Sequence, residues 1–198
     1  MKLRSLSIAV ILGAFGLAAC GSDTTASPST GATAAASTMP MDSKFNDSDV
    51  AFAKGMIPHH QQAVEMADIA LDPKAGASEQ VRDLATRIKA GQDPEIAKMT
   101  GWLTAWGEPM AMTTDGGHDM ATMDGMMSTA EMDSLRTLTG TAFDKMWMEM
   151  MIRHHESAIA MAQTVKGAGS DPDVLALADQ VIAAQQGEIA EMKALLGS

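Results

Sequence analysis

The chain is poor in cysteine, aromatic side chains and basic residues. It has one cysteine, four phenylalanines, three tryptophans and no tyrosine, and 14 Lys and Arg stand against 25 Asp and Glu, for a formal net charge of −11. A single cysteine excludes an internal disulfide and a cluster of thiolate ligands. The scarcity of aromatic residues argues against an aromatic-lined cleft. The acidic balance disfavours nucleic acid and anionic lipid as partners and favours cations.

Familiar catalytic motifs are also missing. The sequence has no glycine-rich phosphate loop, no Gly-x-Ser-x-Gly elbow and no Cys–His pair. Strand signals, such as a sustained alternation of apolar and polar residues, are nearly absent. The sequence therefore predicts an all-helical protein without an evident catalytic nucleophile, and an enzyme is the less favoured class.

Residues 1–19 have the pattern of a bacterial signal peptide. Lys2 and Arg4 precede an apolar stretch, 6–18, that is shorter than the roughly 20 residues needed to span a bilayer. The Leu-Ala-Ala-Cys sequence that ends at Cys20 resembles a lipobox, in which the cysteine is lipidated and becomes the first mature residue. We therefore predict export and anchoring by Cys20 to the extracytoplasmic face of a bacterial membrane. An ordinary secretory signal with a chance cysteine is the alternative.

The segment after the signal is predicted to be a flexible tether. Residues 20–45 consist mainly of Ser, Thr, Ala, Gly and Pro and have few large apolar side chains. Such a segment cannot bury enough surface to fold. The remaining residues, 46–198, are sufficient for one domain with its own core.

A duplicated motif dominates this domain. The sequence MIPHHQQAVEMA at 56–67 recurs as MIRHHESAIAMA at 151–162, and the two copies contain four of the five histidines. At about 100° per residue, the histidines, alanines and methionines of each copy share one helical face. A duplicated unit implies a duplicated supersecondary element.

The helix predicted after each motif repeats as well. Its apolar and polar positions recur 93 residues later, so that Gln92, Glu95 and Met99 match Gln185, Glu188 and Met192. Turn signals at Asp72-Pro73 and Gly167-Ala168-Gly169 separate the two helices of each copy. Neither helical hairpin can bury its apolar stripe alone. We therefore predict a four-helix bundle built from repeat one (46–105), a methionine-rich linker (106–133) and repeat two (134–198).

Capping patterns predict where the first helix of each repeat begins. Asn46 with Asp49, and Thr141 with Asp144, have the spacing of an N-cap residue and its third helical residue. Pro58 lies inside the first helix, where it removes one hydrogen bond and is expected to kink the chain.

Histidines and glutamates of the repeats form a candidate ligand set. Four helices project His59, His60, Glu95, His154, His155 and Glu188 toward one interior. Neutral imidazole is a common metal ligand, and a buried carboxylate is costly unless it is paired or bound to metal. The alternative is that these groups hydrogen-bond to one another across the bundle.

Methionines near these residues bear on the identity of the metal. Met56 and Met151 stand three residues before the histidine pairs, where di-iron bundles have glutamate. Thioethers favour Cu(I), and Ag(I) is similarly soft, whereas oxygen ligands favour harder ions. The sequence thus predicts copper, with Cu(I) favoured, bound by these residues together with Met99 and Met192. Iron or manganese in a di-metal oxidase is the weaker alternative.

The predicted linker is rich in methionine. Seven of the 19 methionines lie between residues 110 and 132, together with His118 and several glycines. A methionine-rich loop could capture Cu(I) at low affinity, or its methionines could pack over the bundle. Candidate auxiliary ligands are Met66, Met161, His118, Met120, Met123, Met126 and Met127. Ser128 and Glu131 have capping-box spacing and predict a short helix over 128–139 that ends at Gly140.

The doubled pattern Met-Ile-x-His-His-x-x-Ala-x-x-Met-Ala, followed by Gln-x-x-Glu-Ile-x-x-Met, resembles the domain of unknown function 305 family over residues 46–198. The resemblance implies a ferritin-like four-helix bundle in exported bacterial proteins, some of which bind copper or silver. The matching signature residues are Met56, His59, His60, Met66, Gln92, Glu95 and Met99, and in the second copy Met151, His154, His155, Met161, Gln185, Glu188 and Met192.

These observations converge on one hypothesis. The chain is predicted to be an extracytoplasmic lipoprotein that binds copper for buffering, trafficking or resistance, and that exchanges it with a protein partner. The alternatives are a ferritin-like di-metal oxidoreductase and a metal-free envelope lipoprotein with a structural or partner-binding role. The oligomeric state is not predicted.

Overall fold

The structure, a computed structural model, describes residues 44–109 and 124–197. Within these ranges it consists of helices and contains no strand, which confirms the all-helical prediction. The predicted signal, Cys20 and most of the tether lie outside the described residues. The elements are α1 (Asp47–Leu71), a 3-10 turn (Pro73–Ala75), α2 (Glu79–Trp106), α3 (Thr129–Thr137), α4 (Gly140–Ala168) and α5 (Pro172–Leu196).

The helix starts follow the capping patterns in part. The Asn46 side chain accepts from the backbone N–H of Ser48 and Asp49, and Asp49 accepts from the N–H of Asn46, so the predicted capping box of α1 is confirmed. The prediction for Thr141 is wrong. α4 already begins at Gly140, whose φ of 61° lets the chain turn one residue earlier, and Thr139 precedes it without a side-chain cap.

Two further local predictions have mixed outcomes. Ser128 and Glu131 form the predicted capping box of α3, but this helix ends at Thr137 rather than at Gly140. α1 continues through Pro58 as one helix of 25 residues. Among the described residues, no helix is both long enough and apolar enough to cross a membrane.

The four long helices form a bundle in which α1 packs on α2, α4 packs on α5, and α1 packs on α4. The buried apolar residues form two clusters, and each of these contains residues from all four helices. One contains the first half of α1 and the second half of α4, and the other contains the remaining halves. Eight residues stand between the two clusters along the four helices and form what we call the polar layer: His59, His60, Gln92, Glu95, His154, His155, Gln185 and Glu188.

Each hairpin caps a helix of the other. The buried carboxylate of Asp49 on α1 accepts from the N–H of Ser170 at 3.0 Å and of Asp171 at 3.1 Å, just before α5 begins. The carboxylate of Asp144 on α4 accepts from the N–H of Ser78 at 3.1 Å, at the start of α2. Because the first helices satisfy the free N–H groups of the opposite second helices, the two hairpins are fixed to one another.

This reciprocal capping gives a stability prediction. We expect Asp49→Ala to lower the free energy of unfolding by about 2–4 kcal/mol, because several donors around a fully buried carboxylate lose their acceptor. Asp144→Ala should lower the free energy of unfolding by less, because Asp144 is half-buried and accepts from a single backbone N–H of the opposite hairpin, that of Ser78. Urea denaturation of the two variants measures both values. If both variants lose equal amounts of the free energy of unfolding, below about 0.5 kcal/mol, the result would contradict the capping role assigned to the two carboxylates.

The end of the predicted linker lies on α1 and α4. The Gln62 amide on α1 donates to the carbonyl of Met127 at 2.8 Å and accepts from its N–H at 2.7 Å. Ser157 on α4 donates to the carbonyl of Asp124. Gly125, with a φ of 78°, passes so close to Ser157 that a Cβ would collide with it. The segment 124–128 thus rests against both helices one turn after their histidine pairs.

Candidate metal centre

The four histidines of the duplicated motif lie at the centre of the bundle. His59, His60, His154 and His155 are all fully buried. Small side chains make this possible, because the alanines one turn later, Ala63 on α1 and Ala158 on α4, are also fully buried. The structure thus brings together the two histidine pairs that the sequence places 95 residues apart.

One histidine of each pair is held by a glutamate of the following helix. His60 Nε2 lies 2.7 Å from Glu95 Oε2, and His155 Nε2 lies 2.7 Å from Glu188 Oε2. Because a carboxylate oxygen accepts, the Nε2 of each ring donates to its glutamate. The Nδ1 of each ring has no hydrogen-bond partner. Histidine and glutamate therefore do hydrogen-bond across the bundle, as the alternative prediction has it, but the bond uses only one nitrogen of each of these two rings.

The other two histidines contact each other. The ring centroids of His59 and His154 are 3.7 Å apart, and all four of their ring nitrogens lack a partner. Burial, reinforced by His60 and His155, lowers the pKa of His59 to about 3. Burial and the neighbouring histidines also lower the pKa of His154 well below its ordinary value. Both rings are therefore neutral at pH 7, which is the form that binds metals.

Two buried glutamines complete the polar layer. Gln92 and Gln185 lie one turn before Glu95 and Glu188 and are 4% and 3% exposed. Both amide atoms of Gln92 and the amide oxygen of Gln185 lack a partner. Within the described ranges, all nine buried side-chain nitrogen and oxygen atoms without a partner belong to this layer. Each such atom costs about 1–3 kcal/mol, so their concentration at one place indicates a site for a bound species.

Four methionines flank the polar layer. Met56 and Met99 are fully buried in one apolar cluster, and Met151 and Met192 are fully buried in the other. Met56 and Met151 each stand one turn before a histidine pair, and Met99 and Met192 one turn after a glutamate. Thioethers are thus present on both sides of the imidazoles.

The auxiliary candidates have other positions. Met66 is fully buried two turns beyond His59, where its carbonyl accepts from the indole N–H of Trp147. Met161, two turns beyond His154, is half-buried against an apolar cluster.

Two of the five candidate ligands in the linker lie within the described residues. Met127 is buried, and its sulfur accepts from the Arg153 guanidinium at 3.0 Å, while Met126 is half-buried. His118, Met120 and Met123 lie outside the described residues.

The polar layer differs from a carboxylate-rich metal site. Among residues 44–109 and 124–197, no three His, Cys, Asp or Glu side chains are grouped so as to hold a metal ion. Glu95 and Glu188 are each paired with a different histidine. The donors left free are imidazole nitrogens, and the flanking side chains are thioethers. This set fits a soft ion better than iron or manganese.

The layer reaches solvent at its glutamates. The side chains of Glu95 and Glu188 are 20% and 17% exposed, whereas the histidines and glutamines are buried. Three open surface grooves, of about 640, 420 and 370 Å³, are lined by residues outside the layer. A cation that approaches the layer therefore meets the two carboxylates first.

The sequence analysis named both glutamines among the signature residues of the resemblance but did not place them in the ligand set. Their signal was present, because Gln92 and Gln185 occupy matching positions on the stripe that also holds Glu95 and Glu188. It was also not evident which histidine of each pair would contact a glutamate. Adjacent residues on a helix point about 100° apart, and packing decides which neighbour each one meets.

Comparisons with known proteins agree with this architecture. The sequence pattern of the DUF305 family, a domain of unknown function, matches residues 49–196. A DUF305 fragment from Deinococcus radiodurans is 34% identical in sequence, and the match covers 77% of this chain and 97% of that one, with a TM-score of 0.68. A candidate secreted DUF305 protein from Streptomyces coelicolor is also 34% identical, with coverages of 76% and 92% and a TM-score of 0.69. No curated protein sequence matches the chain.

A third similar structure contains metal. CopM in its Cu(I)-bound form is 30% identical to this chain, with coverages of 74% and 94% and a TM-score of 0.62. Structures of CopM with Cu(II) and with Ag bound, and of its apo form, also match. The family pattern covers most of the chain and extends over nearly the full length of the four long helices, and the chain therefore belongs to the DUF305 family.

Proposed function

We propose that this protein binds a soft metal ion in the polar layer, copper as Cu(I) or silver as Ag(I), and buffers or carries it outside the cytoplasm. The observation that carries the proposal is the confinement of all nine unpartnered buried polar atoms, within the described ranges, to this layer. Binding an ion would satisfy imidazole nitrogens that otherwise destabilise the fold. The structures of CopM with Cu(I) and with Ag bound support the choice of metal.

The residues have distinct roles in this proposal. His59 and His154 supply neutral imidazole nitrogens at the centre of the layer. Glu95 and Glu188 orient His60 and His155 so that the Nδ1 lone pairs are available, an arrangement that commonly supports metal-bound histidine. The methionines Met56, Met99, Met151 and Met192 supply thioethers, which select soft ions over hard ones.

Export and anchoring belong to the same proposal. The pattern of residues 1–19 and Cys20 would place the bundle on the outer side of a bacterial membrane, at the end of the tether 20–45. The candidate secreted relative from Streptomyces coelicolor supports an extracytoplasmic location. Metal held there would be available to a copper-exchange partner, while Met120, Met123, Met126, Met127 and His118 of the linker would be auxiliary ligands.

Thermal unfolding with different ions tests the proposal. A ligand that binds only the native state, present at about 100 times its Kd, stabilises the protein by about 2.7 kcal/mol. For a protein of this size we expect Ag(I) and Cu(I) to raise the Tm by roughly 5–10 °C. Mn(II) and Fe(II) should leave it unchanged.

Other outcomes would favour the alternatives. A rise with Fe(II) or Mn(II), accompanied by oxygen consumption, would favour a di-metal oxidoreductase. No rise with any ion would favour a metal-free structural or partner-binding role. The comparison should use a Cys20→Ser background, because a free thiol is itself a soft-metal ligand.

A further inference from the structure

Gln92 and Gln185 are not explained by a site for soft ions alone. An amide oxygen is a hard donor, and soft monovalent ions prefer sulfur and imidazole. Yet the amide oxygen of each glutamine is buried without a partner, in the layer that holds the histidines. A leucine or methionine of similar volume would fill the same space without this cost.

Position connects the glutamines to the ligand set. Each lies one turn before a glutamate on the buried face of its helix, and each of these glutamates contacts a histidine at 2.7 Å. The arrangement occurs in both hairpins, so the two amide oxygens belong to related positions on the two sides of the layer. An oxygen donor beside imidazoles is the combination that Cu(II) prefers over Cu(I).

We infer that Gln92 and Gln185 are specificity-determining residues that supply amide oxygens to Cu(II), so that the layer holds the oxidised ion as well as the soft monovalent ones. In this arrangement imidazole binds both kinds of ion, the thioethers bind the soft monovalent ion, and the amide oxygens bind the harder Cu(II). This inference rests on the proposed function, because it concerns the same layer.

A double substitution separates the two kinds of donor. Gln92→Met/Gln185→Met keeps the length of the side chains and replaces each amide by a thioether. We expect this variant to bind Cu(II) roughly 10-fold more weakly or worse, and to bind Ag(I) as tightly as the unsubstituted chain or more tightly. Competition titrations with chelators of known affinity measure both constants, and electron paramagnetic resonance should show a changed signal for bound Cu(II).

Two further variants complete the experiment. Gln186→Met changes the neighbouring glutamine on α5, which is exposed, and should alter neither constant. Gln92→Glu/Gln185→Glu keeps an oxygen donor and should retain Cu(II). If the methionine variant does not fold, as judged by circular dichroism, the single variant Gln185→Met gives the same comparison.

The outcomes are distinct from those of the proposed function. If the unsubstituted chain binds neither Ag(I) nor Cu(II), the proposed function fails. If it binds both, unchanged Cu(II) affinity in the methionine variant overturns the inference. An equal loss of both ions overturns it as well, because the glutamines would then only maintain the structure.

Discussion

Replacing His59 and His154 together by alanine should weaken the binding of Ag(I) and Cu(I) by about 100-fold or more, since even groups that only orient a metal ligand change affinity by about 10- to 100-fold. These two rings are in contact, are fully buried and have four unpartnered nitrogens. Competition titration in the Cys20→Ser background measures the effect. The fifth histidine gives a comparison, because His118→Ala removes a proposed auxiliary ligand of the linker and should cause a much smaller loss.

A cavity left by alanine could also impair folding. The variant His59→Leu/His154→Leu addresses this, because leucine fills the space and removes the unpartnered nitrogens. We expect this variant to have a higher Tm than the metal-free parent and to lack high-affinity binding of soft ions. Tight binding retained in both double variants, but lost in His118→Ala, would place the metal in the linker.

The metal-free protein should lose stability steeply in mild acid. In the unfolded chain the histidines take up protons near pH 6.5, whereas His59 in the folded protein does so only near pH 3 and His154 also resists protonation. Between these values the unfolded state holds more protons, so stability falls as pH falls. His59 and His154 should each contribute a slope of up to about 1.4 kcal/mol per pH unit below pH 6.5.

Urea denaturation between pH 7.5 and about 5 measures this slope with little contribution from carboxylates, which titrate lower. Glu131 is one such group, because the Arg153 guanidinium lowers its pKa to about 2 and its stabilising effect is lost only below its ordinary value of 4.5. The His59→Leu/His154→Leu variant should show a shallower profile over the same range. An equally steep profile in this variant would show that other groups cause the acid sensitivity.

The duplicated apolar pattern was sufficient to predict the bundle. Residues such as Ala63 and Met56 recur at helical spacing in both copies, and burying such stripes requires four helices. The capping box at Asn46 was readable because all of its atoms lie within four residues. The start of α4 was misjudged because a glycine with positive φ changed the geometry locally.

Contacts between the hairpins were beyond the reach of sequence patterns. Asp49 and Asp144 were both assigned to local capping. Asp49 has this role and also accepts from N–H groups of the opposite hairpin, whereas Asp144 accepts from the N–H of Ser78 in the opposite hairpin instead, and these contacts depend on how the hairpins pack. The same holds for the polar layer. The sequence places the histidines on one face, but only packing shows that His59 meets His154 while His60 meets Glu95.

The two halves of the layer differ in their surroundings. Where α1 has Pro58, α4 has Arg153, which donates to Glu131 at 2.7 Å and to the sulfur of Met127 at 3.0 Å. The end of the linker is therefore fixed beside the second histidine pair by a side chain that the first repeat lacks. The duplication gives related ligands in both halves but does not make their outer surfaces equivalent.

X-ray absorption at the copper edge, on the Cu(I)-loaded full chain with Cys20→Ser, tests the central claim most directly. If the polar layer holds the ion, the spectrum should contain imidazole nitrogen together with thioether sulfur, and the nitrogen contribution should decrease in His59→Leu/His154→Leu. A spectrum with sulfur alone, unchanged by these substitutions, would contradict the account.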